Sequence, residues 1–183
     1  MRIGREIPGV VDPSLLVHVC QALCRPERIE WAVQKGTEVG ASGFRLWRAA
    51  RSQVEAPSPE RLGRLGRVAL EACKQSGRRR VPSISVEDSL PPAVPPGIVG
   101  LLLQTGAGAT PIAARLAGPR PGEAWIAVGP EGGLSRPETE ALVGRGWLPA
   151  SLGPRVLRTE TAGVVACALA LHAWGDLGSG PGA

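Results

Sequence analysis

The chain has 183 residues, a formal net charge of +5 and 43% hydrophobic residues, which fits one domain with a real core and permits a nucleic-acid partner without requiring one. No apolar run reaches the roughly 20 residues that a membrane-spanning helix needs, and the opening MRIGREIPGV has no apolar signal core, so a cytoplasmic protein without membrane association is expected. Tyrosine is absent and phenylalanine occurs once, which argues against an aromatic stacking platform for RNA.

Residues 1–25 read as irregular, with a short strand at LLVHV. Pro26 opens a helix, PERIEWAVQKGTEVG, with proline in its first turn; Ile29, Ala32, Val33 and Val39 share a face, and Gly40 ends it. FRLW, residues 44–47, is a short strand. A second helix begins with Ser58 as cap and Pro59 just inside. In it Leu62, Leu65, Ala69, Ala72 and Cys73 recur at helical spacing, and Gly77 is the stop. Arg64, Arg67, Glu71, Lys74 and Arg78 step by three and four along another face, followed by Arg79 and Arg80. This is either a solvated charged face or a stripe that tracks nucleic-acid phosphates.

Residues 81–97 hold five prolines among polar residues and read as a surface connection. GIVGLLL is a buried strand entering the loop QTGAGATP, with Thr110 and Pro111 starting another helix. WIAV, residues 125–128, is the next buried strand. Ser135, Pro137 and Glu138 mark a helix start of the S-x-x-E type, ended by Gly144 to Gly146. WLPASLG gives a further short strand and turn. TETAGVVACALALHAW is a nearly uniform apolar helix that needs cover all round, for which a second subunit is a natural source. LGSGPGA, residues 177–183, is a frayed tail. The cysteines at 20, 24, 73 and 167 form no CxxC pair, so reduced, mostly buried thiols are expected and no metal site.

Short apolar strands alternating with helices predict an α/β fold: a parallel sheet covered on both faces. Ligands of such sheets sit at the carboxyl ends of the strands, so the glycine-bearing loops after LLL, WIAV and SLG are expected on one edge. The turn GPEGG, residues 129–133, lacks the lysine and hydroxyl of a P-loop and the spacing of a dinucleotide fingerprint. Its amides precede a helix, but Glu131 would repel an anion. A ligand with hydroxyls, an amine or a positive centre fits better, and S-adenosylmethionine has all three; the alternative is a tight turn with no ligand. In SLGPRVLRTETAG, residues 151–163, Arg158 and Glu160 stand among apolar groups just ahead of the apolar helix, where charge is costly unless paired or functional. The bland reading is a helix start capped by Thr159 or Thr161, with Glu160 favoured by the dipole.

GPEGGLS together with SLGPRVLRTETA, supported by KGTEVG at 35–40 and KQSGRRRVP at 74–82, resembles the RsmE family of 16S rRNA (uracil-N3)-methyltransferases over roughly residues 18–175. The resemblance implies a SPOUT-type α/β knot: an α/β domain at 18–176 whose C-terminal chain threads a trefoil knot. It implies a homodimer that binds S-adenosylmethionine in the knot and methylates N3 of a uridine in small-subunit ribosomal RNA, with no metal. Carried onto this chain, the cofactor wall is Leu103 after one strand, Gly129, Pro130, Glu131, Gly132 and Gly133 after the next, and Leu152, Gly153, Val156, Leu157, Thr159 and Ala162 after the third. Arg158 would stabilise negative charge developing on the uracil oxygens; Glu160 or Glu131 would accept a proton or fix the base. Arg64, Arg67, Lys74, Arg78, Arg79 and Arg80 are the RNA contacts expected. The family carries a small β-barrel ahead of this domain, and residues 1–17 are too few to form it, so they are expected to be its remnant. Rival expectations are a related methyltransferase for another RNA site, a non-catalytic RNA-binding remnant, and a structural homodimer without a ligand.

Overall fold

Twelve elements follow one another in chain order: β1 (Leu16–Ala22), α1 (Pro26–Val39), β2 (Gly43–Trp47), α2 (Pro59–Ser76), β3 (Ser83–Glu87), β4 (Ile98–Leu103), β5 (Thr110–Pro111), α3 (Ile112–Leu116), β6 (Glu123–Val128), α4 (Arg136–Gly144), β7 (Leu148–Ser151) and α5 (Thr159–Trp174). The structure, a computed structural model, describes residues 12–106, 108–175 and 177–178. Of the expected N-terminal remnant and C-terminal tail, residues 1–11 and 179–183 lie outside the described residues.

All seven strands form one sheet in the order β3-β2-β1-β6-β4-β7-β5, and every pairing is parallel. The chain first steps outward from β1 to β2 to β3. It then crosses to the far side of β1 with β4, leaving a place that β6 fills. A reversal of winding of this kind leaves a crevice at the carboxyl ends of the strands. Register aligns those ends: Gln21 lies opposite Val128, Leu102 opposite Ala127, and Leu103 opposite Ala150.

The strands are apolar on both faces because both are covered. On one face Val19, Leu46, Leu101 and Ile126 meet Val33 of α1, Ala69 of α2 and Ala166 and Leu171 of α5. On the other, Cys20, Trp47, Leu102 and Trp125 meet Leu142 of α4 and Trp147, with Leu90 and Val94 packed alongside. Gly163 lets α5 lie close to the sheet: a Cβ there would stand 3.2 Å from Val19 Cγ1 and 3.4 Å from Val128 Cγ2. Helix α5 is covered within the chain by α1, α3, β1 and β6. Val164, Val165 and Ala168 on its remaining side are only half-buried.

Helix boundaries follow the punctuation of the sequence. The Ser58 hydroxyl accepts from the Arg61 amide, Gly77 takes a left-handed φ of 75°, and Gly40 with φ 125° sends its amide to the Gly36 and Thr37 carbonyls. Ser135 and Glu138 form a complete capping box. Two expectations are corrected. The segment 81–97 is not only a connection, since its alternating SISVE is the edge strand β3. Thr110–Pro111 do not begin a helix but add a two-residue strand beside β7, and α3 starts at Ile112. All four cysteines are buried free thiols; burial pushes those of Cys20, Cys24 and Cys167 up to about 12.

Candidate methyltransferase cleft

The ends of β6, β4 and β7 are neighbours in the sheet, so the three loops that leave them converge on one open cleft of about 670 Å³. Leu103, Gln104 and Thr105 line it from the first loop. The whole turn Gly129–Gly133 lines it from the second, and Leu152, Gly153, Val156, Leu157, Thr159 and Ala162 from the third. Every wall residue expected from the sequence is therefore brought to one site, together with Arg158. Val156 stands at the lip, 83% exposed.

The glycine turn is shaped by close approaches. Gly133 adopts φ +69° and its amide donates to the Pro130 carbonyl at 2.9 Å. A Cβ on Gly129 would lie 3.0 Å from Leu134 Cγ, and one on Gly132 would lie 3.3 Å from Arg51 Cβ. The wall here is main chain because side chains do not fit behind it. Arg51, from the connection after β2, donates to the Gly132 carbonyl at 3.0 Å. Glu138 pins the turn from the other end, accepting from the Ala50 amide at 2.7 Å and from the Ser135 hydroxyl at 2.6 Å. Burial alone would raise its carboxyl. Hydrogen bonds from Ser135 and Ala50, with Arg51 nearby, outweigh that and hold it below its ordinary value of 4.5. Gln104 donates to Thr139 Oγ1 at 3.2 Å, which ties the first loop to α4 as well.

The start of α5 keeps one part of the bland reading and not the other: Glu160 lies in the first turn, but no hydroxyl caps the helix. Arg158 is the N-cap, with no side-chain cap bond. Thr159 does not cap the helix; its hydroxyl donates to the Gly129 carbonyl at 2.5 Å and accepts from Gln21 Nε2 at 2.7 Å. Glu160 is not among the residues that line the cleft. Only 7% exposed, it stands behind the lining and meets Arg28 instead, with Oε1 3.7 Å from Arg28 Nε. Arg28 Nη1 also donates to Glu131 Oε1 at 2.8 Å.

The RNA methyltransferase domain family matches residues 12–171. This chain belongs to that family. Ribosomal RNA small subunit methyltransferase E of Mycobacterium bovis is 36% identical over 171 residues, covering 88% of this chain and 63% of the relative. The Bacillus subtilis protein of the same name is 31% identical over 170 residues, covering 87% and 64%. The chain thus spans less than two thirds of the length of these relatives. Among solved structures, a Legionella pneumophila protein described as a methyltransferase, in complex with the bound cofactor SAM, superposes with a TM-score of 0.82. It is 31% identical, with 91% of this chain and 69% of that one covered. Ribosomal RNA small subunit methyltransferase E of Neisseria gonorrhoeae, bound to S-adenosyl methionine, gives a TM-score of 0.81 at 29% identity, with 90% and 69% covered.

In this methyltransferase domain the expected RNA stripe on α2 is not one surface. Arg78 is removed from it, its side chain 5% exposed. After the left-handed turn at Gly77 its Nε meets Asp12 Oδ1 at 3.0 Å, and its Nη1 donates to the carbonyls of Thr37 and Ala41 at 2.9 and 2.7 Å. A guanidinium beside the carboxyl end of α1 completes that helix's last carbonyls. Arg64 pairs with Glu30 at 2.6 Å and Lys74 with Glu71 at 2.6 Å, both at the surface. Arg67, Arg79 and Arg80 are exposed. The sequence reading missed Arg28, Arg51 and Gln21. It also left Arg155 without a role, although that residue lies inside the motif that carried the resemblance and lines the cleft.

Proposed function

We propose that this chain is the cofactor-binding and catalytic part of an S-adenosylmethionine-dependent methyltransferase that acts on N3 of a uridine in small-subunit ribosomal RNA, working as a cytoplasmic homodimer. The convergence of three glycine-bearing loops from adjacent parallel strands into one cleft carries this reading, in a chain whose family is an RNA methyltransferase domain. The residues fit the cofactor. Leu103, Leu152, Leu157 and Ala162 give an apolar slot, and Gly129 and Gly132 leave main chain on the wall where a Cβ would crowd Leu134 and Arg51 behind it. Glu131 adds the acceptor that an amine or hydroxyl needs. The carboxylate oxygen Glu160 Oε2, buried and without a hydrogen-bond partner among the described residues, adds negative character just behind. When bound, the cofactor supplies an electrophilic methyl on a sulfonium.

The chain's own groups do the rest. N3 of uracil is protonated at neutral pH and must lose its proton to attack in line. Glu131, on the wall, is the acceptor or orients the base. Arg158, exposed at the mouth, stabilises the charge that develops on the uracil oxygens. Holding both reactants aligned supplies much of the rate. The half-buried stripe of Val164, Val165 and Ala168 on α5 is the face a second copy would cover. The trefoil threading implied by the resemblance is part of this proposal.

Calorimetric titration with S-adenosylmethionine, using ATP and NAD as controls, tests the reading. Selective binding near one site per chain or one per dimer is expected, followed by methyl transfer to small-subunit RNA. A folded protein that binds none of the three would overturn it.

A further inference from the structure

One guanidinium touches two carboxylates from different arms of the cleft. Arg28 lies in the first turn of α1. Its Nη1 reaches Glu131 Oε1 on the glycine turn at 2.8 Å, and its Nε reaches Glu160 Oε1 at the start of α5 at 3.7 Å. The Glu160 side chain is 9% exposed, so this is not the loose surface pair that contributes little. Among the described residues Glu160 has no other ion pair, and its second oxygen has no hydrogen bond. A buried carboxylate in that position depends on its cation.

The same two arms are joined a second time. The Thr159 hydroxyl bonds the Gly129 carbonyl and is held from behind by Gln21, itself 1% exposed. Gln21 is near the end of β1 and Arg28 near the start of α1, so the two fastenings flank the short β1–α1 connection. Arg28 sits on the cleft wall and Glu160 behind it. The order from core to cleft is Glu160, Arg28, Glu131.

We propose that Arg28 is a positioning residue for methyl transfer. By holding Glu131 and Glu160 on one guanidinium it fixes the 129–133 turn against the N-terminus of α5, and couples the two halves of the cofactor wall. This rests on the cofactor reading above. Glu160 then acts through Arg28 and not on the substrate.

The test is a binding cycle with S-adenosylmethionine, read by calorimetry on the full chain. Arg28→Ala is expected to weaken binding roughly 10- to 100-fold and to lower the thermal midpoint by several degrees, because Glu160 is left buried without its cation; Arg28→Lys recovers part of the affinity and of the midpoint. Glu131→Gln and Glu160→Gln should be non-additive in Kd by at least about threefold when Arg28 is present, and additive in the Arg28→Ala background. Amide hydrogen exchange in the absence of cofactor gives an independent readout. Arg28→Ala should speed exchange at 129–134 and at 158–162 together. Additive glutamate effects in the wild-type background, or Arg28→Ala binding as well as wild type, would overturn the proposal. Should wild type itself not bind S-adenosylmethionine, the cofactor reading fails, and exchange at both segments still decides whether Arg28 joins the loops; no change in it would sink the proposal separately.

Discussion

Helix α2 with the residues after it and the rim of the cleft are both rich in arginine, and each mixes engaged guanidiniums with open ones: Arg67, Arg79 and Arg80 are open at the first, while Arg28 is engaged at the second. On and just after α2, Arg64 is in a surface pair with Glu30, and Arg78 is buried against Asp12 and two carbonyls. At the rim, Arg155 and Arg158 are exposed and have no carboxylate partner among the described residues. Spacing by three and four marks a helix face, but it says nothing of what the guanidiniums already hold. A surface pair opens at little cost, so Arg64 still has a charge to offer. The buried Arg78 does not, because leaving Asp12 and the end of α1 unpaired is expensive.

Substitutions sharpen that contrast, and Arg78→Ala has the largest expected effect. It should cost about 3–5 kcal/mol in chemical denaturation, whereas RNA affinity measured on the folded variant stays put. A neutral effect on stability would return Arg78 to the candidate RNA surface. Next is Arg158→Ala, expected to slow single-turnover methyl transfer by about 10²–10³-fold with cofactor affinity unchanged. Full turnover would remove Arg158 from the chemistry. Glu138→Gln comes third and probes how the rim is held. The folded carboxyl lies below its ordinary 4.5, so the stability it contributes is fully present above that value and is lost as pH falls through the lowered one. The variant should be less stable by about 1 kcal/mol at neutral pH, and the gap should close in acid; a gap that widens in acid contradicts the assignment. Arg67→Ala is the smallest, changing stability by less than about 0.5 kcal/mol. If α2 touches RNA, it lowers the slope of log affinity against log salt by about one; an unchanged slope leaves only the rim.

The same distinction between local and distant information decides what the sequence could reveal. The glycine turn, the capping box at Ser135 and the strand ends were legible because each rests on a few consecutive residues. The parallel sheet followed from alternation of strands and helices, and its ligand edge followed from the sheet. The edge strands escaped because Thr110–Pro111 is two residues long and SISVE is flanked by prolines. The cap role that the bland reading gave Thr159 fails because its hydroxyl bonds a carbonyl 30 residues away, although the residue does line the cleft as expected. Arg28 carried no mark at all. Its partner Glu131 is 103 residues distant, and only the folded sheet brings β1 beside β6.

The position of β6 also sets the order in which the molecule can assemble. Strands β1 and β4 leave the ribosome well before β6, yet it is β6 that stands between them. A nascent chain that has emerged only as far as α3 has one three-stranded sheet, β3-β2-β1, and a β4 with neither of its neighbours, since β6 and β7 are still to come. The open edges of β1 and β4 expose backbone donors and acceptors of the kind that invite pairing with other chains. The cleft comes later still, since it needs β7 and the first turn of α5. Long-range parallel pairing of this sort is slow to form, so this chain should spend its vulnerable period between synthesis of β4 and arrival of Val128.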